Sequence, residues 1–263
     1  MPSREITEAL GRLDDLTRRL RLECPWDREQ DERSIVPHTV EEAYELADAA
    51  GRGDDAKLLD ELGDVLFQVH FLSLLLEERG AGDLGAVAEH CRQKLVRRHP
   101  HVFGSVEVET AGEVLRNWDA IKRTEPGREA GLFGEVPENL PGPLYARKVQ
   151  RRAASAGFDP LGSEEAIEAT RAALDEVDAA AGNRDRSFDA VGDALFAAVN
   201  VARKLRVDPE LALRASAKRF RGRVTSAERL AASEGRDWHD LPEDHKLELY
   251  ARAIFEADQQ EPE

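Results

Sequence analysis

Apolar positions recur along this chain at helical spacing, and runs that alternate like strands are scarce. Between Ile6 and Leu22 they fall at Ile6, Leu10, Leu13, Leu16 and Leu20 among charged residues, which predicts a first helix. The segment that follows, ECPWDREQDERSIVPHT, contains two prolines and reads as irregular. Pro25-Trp26-Asp27 is expected to form a fixed turn, with Asp27 capping whatever follows. Trp26 is expected to pack that loop against the core rather than to stack on a ligand base.

From Val40 to Leu76 the pattern predicts two successive helices joined by GRGDDAK, whose two glycines let the chain reverse and lay the helices antiparallel. The second ends in VLFQVHFLSLLL, an apolar run relieved by Gln68, His70 and Ser73. That run is too short to span a bilayer, so it reads as a buried helix. Leu84 to Arg98 predicts another helix, stopped by Pro100 and Gly104, and Glu113 to Lys122 one more. Between Arg123 and Pro143 the chain turns Gly/Pro-rich, and helical periodicity resumes with LYARKVQRRAASAGF, where Lys148, Arg151 and Arg152 form a basic cluster. The expected organisation is one unit over residues 1–125, a linker over 126–143 and a second unit over 144–263.

Composition agrees with an all-α fold. Of 263 residues only 6% are aromatic, and alanine, leucine, glutamate and arginine dominate. The formal net charge of −16 argues against a nucleic-acid backbone as the main partner. Two cysteines, Cys24 and Cys91, make no disulfide framework and suit a reducing compartment. The N-terminal MPSREITEALGRLDDL lacks the apolar core of a signal peptide. A soluble cytoplasmic protein with no membrane partner is the expectation.

Charge within the predicted helices is uneven. Glu41, Glu42 and Glu45 lie on the first helix of the hairpin, and Glu61 and Asp64 on the second. Residues three apart share a helix face, so Glu42 and Glu45 can converge with Glu61 and Asp64 beside the apolar run. Acids held so close to a core repel one another unless a cation neutralises them, and a hard divalent ion such as Mg²⁺ is the natural candidate. A plainer reading competes: Thr39 and Glu42 have capping-box spacing, so Glu42 could simply close a helix N-terminus. Lys94, Arg97, Arg98, His99 and His101 form a cationic cluster in an acidic chain. It suits a polyphosphate clamp better than a favourably charged helix end alone.

The chain also echoes itself. Residues 171–205 lie over 41–75, with GDALFAAVN over GDVLFQVHF, and RFRGR at 219–223 lies over KLVRR at 94–98. The copies differ at the acids. Glu41 and Glu42 meet Ala172 and Ala173, Glu45 meets Glu176, Glu61 meets Ala190, and Asp64 meets Asp193. The second copy also has Gly222 at the place of Arg97.

CPWDREQ, the EExxE of Glu41 to Glu45, the ELGD of Glu61 to Asp64 and KLVRRHPHVF together resemble the MazG nucleoside triphosphate pyrophosphohydrolases. The resemblance covers nearly the whole chain. It implies two tandem all-α bundle units and a homodimer. It also implies Mg²⁺-dependent hydrolysis, with Mn²⁺ as a substitute, of nucleoside triphosphates between the α- and β-phosphates, giving a monophosphate and pyrophosphate. By the same resemblance Glu42, Glu45, Glu61 and Asp64 would hold the metal. Lys94, Arg97 and Arg98 would bind the phosphate chain, with Trp118 and Lys122 close to the nucleotide. Glu41, adjacent to Glu42, is the candidate for orienting or deprotonating the attacking water.

In some two-copy relatives the second copy is regarded as the active one, whereas ligand counting here favours the first. Other pyrophosphohydrolases of the same helical superfamily are an alternative. So is a nucleotide-binding regulatory protein with little or no turnover. A di-iron bundle needs Glu-x-x-His pairs, and none of the seven histidines has a glutamate three residues before it.

Overall fold

The computed structural model describes residues 4–125, 131–134 and 136–258. These residues form helices and connecting turns, with no strand among them. The chain divides into two compact units, Met1–Glu125 and Pro126–Glu263. Of the Gly/Pro-rich segment expected as a linker over 126–143, residues 126–130 and 135 lie outside the described residues, and 142–143 already belong to a helix.

In the first unit α1 (Arg4–Glu23) is followed by α2 (Pro25–Glu29) and then α3 (Glu32–Arg52). The segment expected to be irregular is therefore mostly helical. Pro25 takes the first position of α2, where its missing N–H costs nothing. Asp31 caps α3 in a reciprocal box with Ser34, so Asp27 is not the cap; it is a buried residue within α2. Pro37 lies inside α3 and deprives the Arg33 carbonyl of its usual helical donor. Trp26 does not pack into the core. It is 51% exposed and sets its ring edge-on to His38 at 5.9 Å.

Gly53, with φ of 68°, ends α3, and Asp54 caps α4 (Asp55–Glu78) by accepting from the Lys57 N–H at 3.0 Å. The connector is thus shorter than its sequence suggests, and the two helices fold back as a tight hairpin. The apolar run of α4 is buried on one face, with Gln68, Phe71, Leu74 and Leu75 inside, whereas Leu66 and Val69 of the same run are exposed. Ile35, Phe71 and Leu75, flanked by Phe67 and Leu72, form the core of this unit. Full burial of a side chain such as Phe71 contributes about 1.5–3 kcal/mol. Helix α1 docks on α4 through Arg18–Glu77 at 2.6 Å and Arg21–Glu78 at 2.8 Å. Beyond α4 come α5 (Leu84–Arg98), the short α6 (Pro100–Phe103) and α7 (Ala111–Arg123), the last opened by a Thr110–Glu113 capping box.

The second unit contains α8 (Gly142–Ser155), α9 (Ser163–Ala179), α10 (Arg184–Lys204), α11 (Pro209–Ser233) and α12 (Glu243–Asp258), with one 3₁₀ turn over Trp238–Asp240. Helices α9 and α10 pack together as a second hairpin, opened at Asn183, whose side chain accepts from the Arg186 N–H at 3.1 Å. Ala227, Ala231, Leu241, Leu249 and Ala253 form a core between α11 and α12. Among the described residues no helix is long and apolar enough to cross a membrane.

Candidate metal centre

The α3–α4 hairpin brings Glu42, Glu45 and Glu61 together. One carboxylate oxygen from each lies within 4.8 Å of the others. Glu42 and Glu45 are one turn apart on α3, and Glu61 reaches them from α4. Thr39 is well inside α3 and donates to the Ile35 carbonyl, so Glu42 plays no capping part. Asp64 follows Glu61 by one turn and is exposed, outside the tightest triad, yet its charge acts on Glu42. Glu41 is exposed, with His38 Nδ1 at 3.8 Å.

The electrostatics of the triad are strained in the direction a cation would relieve. Burial, followed by the charges of Asp64, Glu45, Glu61 and Glu41, pushes the Glu42 carboxyl above the ordinary glutamate range. Glu61 is 1% exposed, and both its oxygens are buried. Lys57 Nζ stands 2.6 Å from Oε1, and Oε2 has no hydrogen-bond partner. A buried acid with free lone pairs, facing two more acids, fits a hard divalent cation with oxygen ligands. Among the described residues this is the one group of its kind. The corresponding positions of the second unit hold Ala173 and Ala190, and Glu176 and Asp193 are both exposed there.

The basic residues are placed differently from one another. Lys94 is half-buried on α5 and has no ion-pair partner among the described residues. Arg97 and Arg98 both grip the carboxylate of Glu125, at 2.7 Å to Oε1 and 2.5 Å to Oε2 respectively. Arg98 is 8% exposed at its side chain, and its guanidinium lies 5.5 Å from the centre of the Trp118 ring. Trp118 also meets His99 edge-on at 4.8 Å, and His99 lies 5.5 Å from His101. Lys122 is half-buried on α7. The cationic cluster foreseen in the sequence is therefore a stacked, partly neutralised assembly joining α5 to α7.

Two residues were missed by sequence reasoning. Lys57 stands four before Glu61, a spacing that could have drawn attention to it. Glu125 is 28 residues from Arg97, and nothing local marks it as that arginine's partner.

Comparison with known proteins places this arrangement. Residues 30–103, which run from just before α3 through α6, match the family described as "MazG nucleotide pyrophosphohydrolase domain". The nucleoside triphosphate pyrophosphohydrolase of Escherichia coli (strain K12) is 38% identical over 218 residues, covering 81% of this chain and 83% of its own. The nucleoside triphosphate pyrophosphohydrolase/pyrophosphatase MazG of Thermotoga maritima is 36% identical over 231 residues, covering 88% and 89%. The nucleoside triphosphate pyrophosphohydrolase of Mycobacterium tuberculosis is 32% identical over 155 residues, covering 58% of this chain and 46% of its own. With an all-α fold, a hairpin of converging acids and relatives matched over most of both chains, this protein belongs to the MazG family of nucleoside triphosphate pyrophosphohydrolases.

Proposed function

We propose that the first unit hydrolyses nucleoside triphosphates between the α- and β-phosphates with Mg²⁺, releasing pyrophosphate and a nucleoside monophosphate. The observation that carries this reading is the convergence of Glu42, Glu45 and Glu61, the last of them buried with Oε2 unpartnered. These three, with Asp64 at the rim, would hold Mg²⁺ or Mn²⁺, which when bound supplies charge neutralisation and polarisation of the phosphate oxygens. Glu41, exposed at the edge of the cluster, would accept the proton of the attacking water. Lys94 would meet the phosphate chain. Arg97, half-exposed, would join it by giving up part of its hold on Glu125. Arg98 and Trp118 would act mainly by holding α5 and α7 in place, and Lys122 would lie near the nucleotide.

The family match over residues 30–103 supports the first unit as the seat of activity, as does the loss of Glu42 and Glu61 equivalents in the second. On this reading the second unit is a degenerate copy of the same hairpin, retained as scaffold or regulator. A homodimer is also part of the reading. Leu59, Leu62, Leu66 and Val69 leave an apolar stripe on α4 at spacings of three and four, 75%, 49%, 37% and 39% exposed. A second copy packed there would remove it from water. No nucleic acid or membrane is required, and the cytoplasm is where such substrates are found.

Pyrophosphate release from a panel of NTPs and dNTPs with Mg²⁺ tests the proposal. Glu42→Ala should abolish release and Asp193→Ala should leave it. Loss in Asp193→Ala instead would move the site to the second unit. Nucleotide binding without release from any substrate would favour a regulatory binding protein.

A further inference from the structure

Lys57 places an ammonium where the acids call for a cation. Its Nζ is 2.6 Å from Glu61 Oε1 and 3.0 Å from Asp60 Oδ2. The other oxygen of Glu61 is buried and unpartnered, so this ammonium contact is what offsets the burial of its charge.

Helix energetics do not account for a lysine at this position. Lys57 is the third residue of α4, in the first turn, where the free N–H groups make the helix end positive and favour acids over bases. In a pair four residues apart the more stabilising order puts glutamate first, and here lysine comes first. A lysine that the helix end disfavours, in the weaker of the two pair orders, finds its use in the carboxylate it reaches. The mobility is one-sided. The Lys57 side chain is 49% exposed and can turn away through its own torsions, while Glu61, at 1%, is fixed in the core. Asp60, 65% exposed and already 3.0 Å from the ammonium, can keep hold of it once Glu61 is released.

We propose that Lys57 is a tethered counter-ion of the metal-free triad, neutralising Glu61 until a divalent cation displaces it, and so setting the affinity for that cation from within the chain. This rests on reading the triad as a metal site. Every binding event must break the ammonium contact, so the measured affinity is that of the acids less the strength of the contact.

The test is Mn²⁺ binding to the full chain, followed by the electron paramagnetic resonance of the free ion, in wild type, Lys57→Met and Lys57→Arg. Melting curves in chelator accompany it. Lys57→Met should bind Mn²⁺ about two- to fivefold tighter, as expected for loss of a competing ion pair, and should melt lower than wild type in chelator. Lys57→Arg keeps the charge and should stay within about twofold of wild type. Should Lys57→Met not fold, wild type and Lys57→Arg together still decide. The ¹⁵Nζ resonance of Lys57, identified by its absence in Lys57→Arg, should shift when Mg²⁺ is added. Unchanged or weaker Mn²⁺ binding in Lys57→Met, or an ammonium signal indifferent to Mg²⁺, overturns the proposal while leaving the metal site standing. Failure of wild type and Lys57→Met alike to bind Mn²⁺ removes the metal reading and the counter-ion with it.

Discussion

Glu42 on α3 and Glu61 on α4 bring carboxylate oxygens within 4.8 Å across the hairpin, and their surroundings are unequal. Glu61 has an ammonium at 2.6 Å, whereas Glu42 is held above its ordinary range by burial and by charges of its own sign. The folded protein therefore binds the Glu42 proton more tightly than the unfolded chain does. The stability this contributes is fully present below the ordinary glutamate value of about 4.3, and is lost as pH rises through the higher folded value. In chelator, Glu42→Gln should flatten that decline and raise the melting temperature near neutral pH by roughly 2–4 °C, the equivalent of about 1 kcal/mol. Scanning calorimetry across pH, with and without Mg²⁺, checks it. A lower melting temperature in Glu42→Gln would mean that the acids do not repel as described.

Arg97 and Arg98 share Glu125 but should respond differently to truncation. Arg98 is 8% exposed and Glu125 9%, so Glu125→Ala leaves the buried Arg98 charge without its carboxylate, at a cost of about 3–5 kcal/mol. Arg98→Ala leaves Glu125 to Arg97 and should cost less than that but more than Arg97→Ala. Arg97 is 51% exposed, and Arg97→Ala should cost less than about 1 kcal/mol of stability. If Arg97 meets the phosphates, Arg97→Ala should raise KM for the triphosphate with the fold intact. Urea denaturation paired with steady-state kinetics separates the two residues, and equal stability losses would remove the distinction.

These contrasts show how much of the molecule was legible in its sequence. The all-α class and the buried face of α4 follow from local periodicity, though Leu66 and Val69 of the same run are exposed, and Glu42, Glu45 and Glu61 could be placed together because helical spacing fixes which residues share a face. The start of α3 was not legible. Proline was read as a breaker, yet Pro25 sits at the first position of α2 and α3 runs on through Pro37, because tertiary packing outweighs local propensity. The state of the basic cluster was also hidden. Its density pointed to an anion, and the anion in place is Glu125, brought from beyond α7 by tertiary contacts that no local pattern encodes.

The apolar stripe of α4 makes a prediction about assembly. Leu62 and Leu66 are 49% and 37% exposed on neighbouring turns. If a second copy covers them, Leu62→Glu or Leu66→Glu buries a charge in an apolar interface and should shift the protein from dimer to monomer. Light scattering coupled to size-exclusion chromatography reads this directly. The monomer should retain its helical circular dichroism, since neither side chain belongs to the core of Ile35, Phe71 and Leu75. A wild-type protein that is already monomeric at all accessible concentrations would refute the assignment.

The connector between the acid-bearing helices offers a pair of glycines with opposite expected signs. Gly53 has φ of 68°, a backbone region that side-chain-bearing residues enter at a cost of about 1–2 kcal/mol, so Gly53→Ala should destabilise by about that amount. Gly51, two residues earlier, lies inside α3 with no atom within 4 Å of where a Cβ would stand. Gly51→Ala should therefore stabilise by about 0.4–1 kcal/mol, through the lower entropy of the unfolded chain and the better helix propensity of alanine. Because Gly53 sets the reversal that brings Glu61 back to Glu42 and Glu45, its substitution should also weaken Mg²⁺ binding, which Gly51→Ala should leave alone. Denaturation midpoints and calorimetric Mg²⁺ titrations of both variants test the point. Loss of stability in both would show that the turn begins earlier, as the two glycines of the sequence first suggested.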